Sequence, residues 1–366
     1  MPSPENPLKS SLFQPDFAYT AAPQRVVFAP GCHDCVAVEV AALGCRRALV
    51  LTTPEQAAAG QGVAALLGPA SAGIFSGATM HTPVEVTARA LVDLQQAGAD
   101  CLVAIGGGST TGLSKALALR TGLPQVVIPT TFAGSEATPI LGQTEGGKKT
   151  TLTDPRVRPT VILYDVTLVR SLPPHLVVSS GMNAIAHAVE GLYARDRNPI
   201  SSLMALEGIC ALAASLPRLT GGAPQDGDWG EALYGAWLCG TVLGQVGMAL
   251  HHKLCHALGG GFNLPHAETH AVILPHAVAY TEAAVPDLLR PVAEIFGTTS
   301  AYEGLGALAR QIGAPFSLAA LGLVAADLPR AVDLATGNPY WNPRPIEREA
   351  VAALLARALA GDPAQP

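Results

Sequence analysis

The sequence predicts an α/β N-terminal domain built on a parallel sheet, followed by an all-helical C-terminal domain. Short β-branched runs such as Gln125–Ile128 and Val161–Tyr164 alternate with Ala/Leu-rich stretches in the first half of the chain. Beyond Leu172 these runs give way to long Ala/Leu stretches. A chain of 366 residues also exceeds what one hydrophobic core normally serves. We therefore expect domains at residues 1–170 and 171–366, with the active site in the cleft between them.

The apolar runs of the first half predict strands, and the longer stretches between them predict helices. Because the runs are almost continuously apolar, the sheet should be Rossmann-like, parallel and covered on both faces. The predicted strands are Arg25–Ala29, Arg47–Thr52, Gly73–Phe75, Cys101–Ile105, Gln125–Ile128 and Val161–Tyr164. The predicted helices are Val36–Ala42, Glu55–Leu67, Val84–Ala97 and Ser109–Thr121, then Val178–Ala194, Ser201–Leu216, Trp229–Gly247 and later segments to Ala360.

Composition excludes several classes of protein. A hydrophobic content of 49% against 14% charged residues rules out a disordered chain. The net charge of −6 and the lack of a Lys/Arg run argue against nucleic-acid binding. No continuous run of roughly 20 apolar residues indicates a membrane span, and residues 1–15 do not resemble a signal peptide. With seven scattered cysteines, these features predict a cytoplasmic protein.

Two loops at predicted strand ends have the composition of a nucleotide-binding site. The segment GGGST, with Gly107, Gly108 and Ser109, joins a strand directly to a helix, where glycine allows close approach to a diphosphate. The hydroxyls of Ser109 and Thr110 could cap that helix. Simple turn chemistry is the alternative. A second hydroxyl-rich loop, PTTFAGSEAT, favours the nucleotide, and its candidate contacts are Thr130, Thr131, Ser135 and Thr138.

Polar side chains recur at helical spacing in the second half. Asn183 and His187 are four residues apart in an apolar helix, and His252 and His256 repeat that spacing. His266 follows after a glycine-rich turn. A lone histidine on an apolar face is usually a core residue. Four polar side chains at helical spacing, with His266 after them, favour a convergent active site.

The motifs GGGST, PTTFAGSEAT, GMNAIAHAVE and HHKLCHALGGGFNLPH together resemble the iron-containing alcohol dehydrogenase family, over roughly residues 17–359. GATMHTPVEVT and NPRP are similar to its maleylacetate reductase branch. The resemblance implies an NAD(P)H-dependent oxidoreductase of aromatic-compound catabolism that reduces maleylacetate, a dicarboxylate, to 3-oxoadipate. The range of substituted maleylacetates stays open. The alternatives are a metal-dependent alcohol or polyol dehydrogenase of the same superfamily and a cofactor-binding protein without catalysis.

The family pattern implies a metal ion held by one Asp and three His, which map to Asn183, His187, His252 and His266. Asn183 departs from that pattern because its amide carries no charge and offers only a carbonyl oxygen to a hard cation. We therefore expect no required metal. Reduction of an enone places charge on a ketone oxygen, which N–H donors or a protonated His can stabilise without a metal.

The resemblance also suggests roles for single residues. His256 is the candidate proton donor, while His187, His252 and His266 would bind the carbonyl side of the substrate. The substrate's carboxylates need cations, and the candidates are His81, His251, Lys253 and Arg344; a solvated surface charge is the alternative for Lys253 and Arg344.

Family position suggests that Lys148 or Lys149 reaches the cofactor ribose, with a solvated loop as the alternative. The strand before Thr52 and Thr53 ends without an acidic residue, so we expect NADH as cofactor with NADPH also tolerated. The family, together with an apolar first strand that could pair across chains, predicts a homodimer.

Overall fold

The computed structural model describes residues 16–338 and 340–366, except for the side chains of Lys148 and Lys149. The chain forms two compact units, one of Ala21–Leu172 and one comprising Pro173–Pro366 with the described residues before Ala21.

A six-stranded parallel sheet forms the centre of the first unit, as the sequence predicts. Its strand order is β1-β8-β5-β4-β2-β3, which leaves β1 and β3 at the edges. All neighbouring strands run parallel. The strands are β1 (Arg25–Phe28), β2 (Ala48–Leu51), β3 (Ser71–Phe75), β4 (Cys101–Gly106), β5 (Gln125–Pro129) and β8 (Val161–Tyr164).

Helices cover both faces of this sheet. Val50 and Val103 join one buried cluster, whereas their neighbours Leu49 and Leu102 join another, because successive side chains of a strand point to opposite faces. Burial on both faces explains why the strands are apolar throughout. The helices of this unit are α1 (Val36–Ala42), α2 (Ala57–Leu67), α3 (Val84–Ala97), α4 (Gly108–Thr121) and the short α5 (Val166–Val169).

The first unit also contains an antiparallel hairpin that the sequence analysis did not predict. It pairs β6 (Ile140–Glu145) with β7 (Lys148–Thr153). The turn glycines Gly146 and Gly147 both have positive φ, 54° and 77°, as a two-residue hairpin turn of the favoured twist requires. The second strand, KKTTLT, is too polar to stand out as an apolar run, so the Gly-Gly pair was the available signal.

The second unit contains helices and no strand among its described residues, in agreement with the sequence. Helix boundaries differ where polar caps extend them: Asn198 accepts from the amides of Ile200 and Ser201, and the Gln225 amide donates to Asp228. The helices are α6 (Pro174–Leu192), α7 (Pro199–Thr220), α8 (Asp226–Leu243), α9 (Leu250–Phe262), α10 (His266–Glu282), α11 (Pro286–Phe296), α12 (Ala301–Gln311), α13 (Leu328–Thr336) and α14 (Arg348–Ala360).

Helix α7 is the one described helix with the length and apolar composition to cross a membrane. Half of its apolar window is buried inside the protein, where it packs against α6 and α8. Buried core helices often have the same length and apolar composition, so α7 alone is weak evidence for a membrane span.

Candidate active site

The two predicted nucleotide loops are neighbours in the first unit. Gly106 at the end of β4 pairs with Pro129 at the end of β5. The Thr130 amide donates to the Gly106 carbonyl at 3.0 Å. Both loops therefore leave the same edge of the sheet, at the carboxyl ends of parallel strands, where ligands of open α/β sheets bind.

Glycine is required where β4 turns into α4. Gly106 has φ +147°, and a Cβ there would lie 2.5 Å from Thr110 Oγ1. A Cβ on Gly107 would lie 2.8 Å from Thr131 Cγ2, whereas Gly108 is exposed with open space beside it. The backbone of Gly107 therefore packs closely against the second loop, while the start of α4 at Gly108 stays accessible.

The cap of α4 differs from the prediction for Ser109 and Thr110. Gly107 is the N-cap residue, no side chain caps the helix, and both hydroxyl residues lie inside its first turn. The hydroxyl of Thr110 is buried without a partner among the described residues. Since the first amides of a helix have no intrahelical acceptor, an uncapped α4 offers N–H donors and a positive dipole to a phosphate.

The second loop is held by side chains of its own unit. Gln56 donates to the hydroxyl of Thr130 at 2.9 Å. The Ser135 hydroxyl is buried and lacks a partner among the described residues. Thr138, in contrast, is fully engaged, because it donates to the Ser135 carbonyl and accepts from Lys115.

Lys115 of α4 is a buried residue that sequence reasoning missed. Its ammonium donates to the carbonyls of Ser135 and Ile140 at 2.5 and 2.8 Å and to Thr138 Oγ1 at 2.9 Å. Burial lowers the pKa of Lys115 to about 7, an effect that the nearby carboxyl of Glu136 opposes. Three acceptors match the three donors of an ammonium group, so Lys115 ties α4 to the second loop.

Replacing Lys115 by methionine is expected to lower the free energy of unfolding by about 1–3 kcal/mol, because the Ser135 and Ile140 carbonyls lose their donor. The looser loop should also raise the KM for the nicotinamide cofactor that the sequence analysis expects. Urea denaturation and initial rates measure both effects. Arg89→Met, at an exposed position of α3, is the matched control. Equal stability and KM in the two variants would contradict this role.

The remaining candidate site residues of the first unit are His81 and Lys149. His81 follows β3, is half-buried, and has φ 66°, and Thr82 after it has φ 47°. Such angles are rare for residues other than glycine. Thr82 is buried against α4, where its hydroxyl would lie 2.3 Å from a Cβ on Gly112. Lys149 lies in β7, but its side chain is outside the described residues.

Six histidines of the second unit converge, which we call the histidine cluster: they come from α6, α9 and α10. Ring centroids of His187 and His252 are 5.2 Å apart, and those of His252 and His270 are 4.9 Å apart. The spacing of four residues thus brings together the side chains that the sequence singled out. The members are His187, His251, His252, His256, His266 and His270.

Asn183 and His187 lie on one face of α6, and both are buried. Asn183 Oδ1 and His187 Nδ1 have no hydrogen-bond partner within the described part of the chain. Burial, reinforced by the imidazoles of His252 and His266, lowers the pKa of His187 well below its ordinary value. This side of the cluster is therefore uncharged at neutral pH and keeps polar atoms free for a ligand.

Glu190, one turn beyond His187, is the most important residue that the sequence analysis overlooked. Its carboxylate accepts from the amides of His251 and His252, at 2.8 and 3.3 Å, and therefore caps the N-terminus of α9. The same carboxylate contacts Nδ1 of His252. This contact fixes a proton on Nδ1 and leaves Nε2 of His252 buried, with no partner among the described residues.

His270 is a second missed member, although it follows His266 by four residues. Its Nδ1 lies 2.9 Å from Nε2 of His251, and Cys255 Sγ is 3.8 Å from the same nitrogen. These three buried residues could offer ligand atoms to a metal ion, all within 4.8 Å. The His251–His270 hydrogen bond accounts for their proximity without one.

The structure corrects the assignment of His251 as a cation for substrate carboxylates. His251 is fully buried, and burial together with the neighbouring imidazoles lowers its pKa well below the ordinary value. The ring is therefore neutral at physiological pH and pairs with His270 instead.

His256 and His266 form the accessible side of the cluster. His256 is exposed and His266 is half-buried, and their rings stack with centroids 6.1 Å apart. A proton donor must exchange protons with solvent between turnovers, and the exposure of His256 allows this. Its ring centroid lies 6.3 Å from that of His252.

Arg344 and Lys253 are engaged within the helical unit. Arg344 donates to the Tyr280 carbonyl at 3.2 Å and lies over the Tyr280 ring at 4.2 Å. It thereby holds the segment in which Asn342 accepts from the Leu250 amide at the start of α9. The Lys253 ammonium lies 5.5 Å from the centre of the Tyr340 ring. Arg344 thus helps to hold the segment that contacts the start of α9, whereas Lys253 is half-buried in α9 itself.

The donor set implied by the family does not fit a tightly held hard cation. Asn183, His187, His252 and His266 are all uncharged ligands, and the nearest carboxylate, Glu190, uses its oxygens on α9 and His252. Hard divalent cations bind mainly to carboxylate and carbonyl oxygens. Imidazole nitrogens suit a borderline ion such as Zn²⁺ better.

Family models, related sequences and solved structures all assign this chain to the same family. The family model described as iron-containing alcohol dehydrogenase matches residues 23–166, and the model of the C-terminal part of that family matches residues 177–359. The chain is 59% identical over 346 residues to a maleylacetate reductase of Rhizobium sp. (strain MTP-10005), covering 94% of this chain and 98% of that protein. It is 52% identical to one of Burkholderia cepacia, with coverage of 94% and 98%. The crystal structure of maleylacetate reductase from Rhizobium sp. strain MTP-10005 superposes with a TM-score of 0.93 at 57% identity, covering 96% of this chain and all of that one.

Proposed function

The chain belongs to the iron-containing alcohol dehydrogenase family of oxidoreductases, and on that premise we propose that it reduces maleylacetate to 3-oxoadipate with NADH. The observation that carries the proposal is an identity of 50% or more, over almost the whole chain, to several maleylacetate reductases. The uncharged amide of Asn183 is a weak ligand for a metal ion. This supports maleylacetate over a simple alcohol as substrate, because alcohol oxidation depends more strongly on a metal ion.

The reaction requires a hydride, a proton and a site for developing negative charge. A nicotinamide cofactor held by the two loops would supply the hydride that adds to the substrate's C=C bond. As that bond is reduced, charge moves to the ketone oxygen as an enolate, and a proton must then reach the adjacent carbon. The chain therefore has to hold the ketone, stabilise its oxygen and deliver one proton.

His252 is suited to stabilise the ketone oxygen. With the Glu190 carboxylate accepting from Nδ1, the imidazolium form of His252 would donate from Nε2 to the enolate oxygen. His187 and Asn183 offer further free polar atoms on the same side. His256, which is exposed, delivers the proton to carbon.

The two loops of the first unit are suited to hold the cofactor diphosphate. The uncapped start of α4 provides N–H donors, and the glycines allow close approach, so these residues fit a dinucleotide. Thr52 at the end of β2 is buried and places no negative charge there, which supports tolerance of NADPH.

Two further parts of the proposal follow from the same family. We place the enzyme in the cytoplasm, in aromatic-compound catabolism. We also propose a homodimer, because β1 forms an edge of the sheet and pairs on one side only among the described residues, with β8.

The test of function is NADH oxidation with maleylacetate, followed by identification of the product as 3-oxoadipate. The same assay with NADPH measures tolerance of the second cofactor, and complete rejection would contradict that part. Tight NADH binding without turnover would instead favour a binding protein. Turnover of simple alcohols or polyols but not maleylacetate would favour the alternative dehydrogenase.

Treatment with EDTA is expected to leave maleylacetate reduction unchanged, because none of the four candidate ligands carries a charge. Metal analysis before and after dialysis accompanies the rate measurement. Asn183→Asp is the informative variant, since it restores a carboxylate and should raise the retained metal. Loss of activity with EDTA and its recovery with Fe²⁺ or Zn²⁺ would show that the unaltered enzyme requires a metal.

A further inference from the structure

A pocket of about 640 Å³ lies wholly within the helical unit, bounded by α10, α12 and the segment after α14. It shares no lining residue with the histidine cluster or the two cofactor loops. Pockets of roughly 300–1,000 Å³ with mainly apolar walls are typical sites for small organic molecules. The apolar or small residues of its wall include Ala271, Val272, Pro275, Gly306, Ala309 and Phe316.

The pocket exists because α12 presents small residues to α10. A Cβ on Gly306 would meet Pro275 Cβ at 3.9 Å and Arg310 Nη1 at 3.5 Å, which are ordinary contacts. Helix packing therefore does not require glycine at this position. Together with Ala309, Gly306 leaves a volume that larger side chains would fill.

One polar side chain of the wall lacks the partners that its burial demands. His276 of α10 is only 4% exposed, yet its buried Nδ1 has no hydrogen-bond partner within the described chain. Burial lowers the pKa of His276 to about 4, so the ring is neutral at physiological pH. A neutral imidazole offers one donor and one acceptor, which matches the capacity of a hydroxyl group.

The charges around the pocket argue against an anionic ligand. Arg310 is exposed, and its guanidinium has no side-chain partner in the described residues, while Glu303 and Asp362 contribute two carboxylates. Thr299 donates to Glu303 at 2.9 Å, and hydrogen bonds from Ser300 and Thr299 lower the pKa of Glu303. Arg357 also lies close enough to His276 to lower its pKa, so a carboxylate ligand would meet two positive and two negative groups and gain no net attraction.

We propose that this pocket binds an uncharged aromatic compound bearing a hydroxyl group. The ring occupies the space beside Gly306 and Ala309, and the hydroxyl pairs with His276. The site is separate from the proposed reaction, whose substrate carries two carboxylates, so the pocket would take a different class of molecule.

The experiment is a titration with 2-naphthol, whose own fluorescence reports its surroundings, in the presence of saturating NADH. Saturable binding in the micromolar range is expected. Naphthalene, which lacks the hydroxyl, and 2-naphthoate, which is charged, should each bind about tenfold more weakly. His276→Phe removes the hydrogen-bonding group and Gly306→Leu fills the space, and each should weaken 2-naphthol binding by about tenfold or more.

His175→Phe is the matched control, because His175 is an exposed histidine of the same unit. Circular dichroism and thermal unfolding establish that each variant is folded. No saturable binding to the unaltered protein, unchanged affinity in both pocket variants, or equal binding of 2-naphthoate would overturn the proposal. Because binding is measured directly, the outcome does not depend on maleylacetate turnover.

Discussion

Replacing His256 by alanine should reduce kcat for maleylacetate reduction by roughly 10²–10⁴-fold, the usual contribution of a positioned general acid. His256 is exposed and stacked on His266, so its removal leaves the buried members of the cluster in place. Stopped-flow measurement of NADH oxidation determines the loss. NADH affinity, measured by fluorescence, should stay unchanged because the proposed cofactor loops lie in the other unit.

The control for this variant is His175→Ala, another exposed histidine, which should retain full activity. His256→Gln tests whether hydrogen bonding alone suffices, because glutamine cannot deliver a proton. An undiminished rate in His256→Ala would remove this residue as the proton donor. The remaining accessible candidate in the cluster would then be His266.

Replacing Glu190 by glutamine is expected to lower kcat by about 10–100-fold, the typical effect of removing a group that orients a catalytic side chain. The amide cannot accept from all three N–H groups that now meet the carboxylate, because its NH₂ group would oppose one of those donors. Loss of the cap should also lower the free energy of unfolding by about 1–3 kcal/mol.

Glu190 is a positioning residue, so its test must separate chemistry from stability. The kcat should fall with little change in the KM for NADH, because the His252 ring loses the carboxylate that orients it. Glu294→Gln, an exposed position on α11, is the matched control. A variant that is less stable but keeps its kcat would limit Glu190 to a structural role.

The sequence predicted the sheet well because parallel strands buried on both faces are apolar along their whole length. It missed the β6–β7 hairpin because its second strand, Lys148–Thr153, is polar and carries no such pattern. Lys115 could not be predicted as buried, since its partners are carbonyls of a loop twenty or more residues away. Propensity and periodicity contain no information about such contacts.

In the candidate site, too, local spacing was predictable and contacts between helices were not. Helical spacing alone placed Asn183 and His187 on one face, and extending it by three residues would have included Glu190. What spacing could not predict is that Glu190 would cap another helix, because that depends on how α6 and α9 pack. His251 was assigned wrongly for a related reason: sequence gives the type of a side chain but not its burial.

The cap that Glu190 provides links the catalytic ring to the local unfolding of α9. The amide hydrogens of His251 and His252 are bonded to a carboxylate of a different helix, so they exchange with solvent only when the first turn of α9 separates from α6. The same opening withdraws the carboxylate from the His252 ring. Hydrogen-exchange rates at these two positions would therefore report the fraction of molecules in which the active site is assembled.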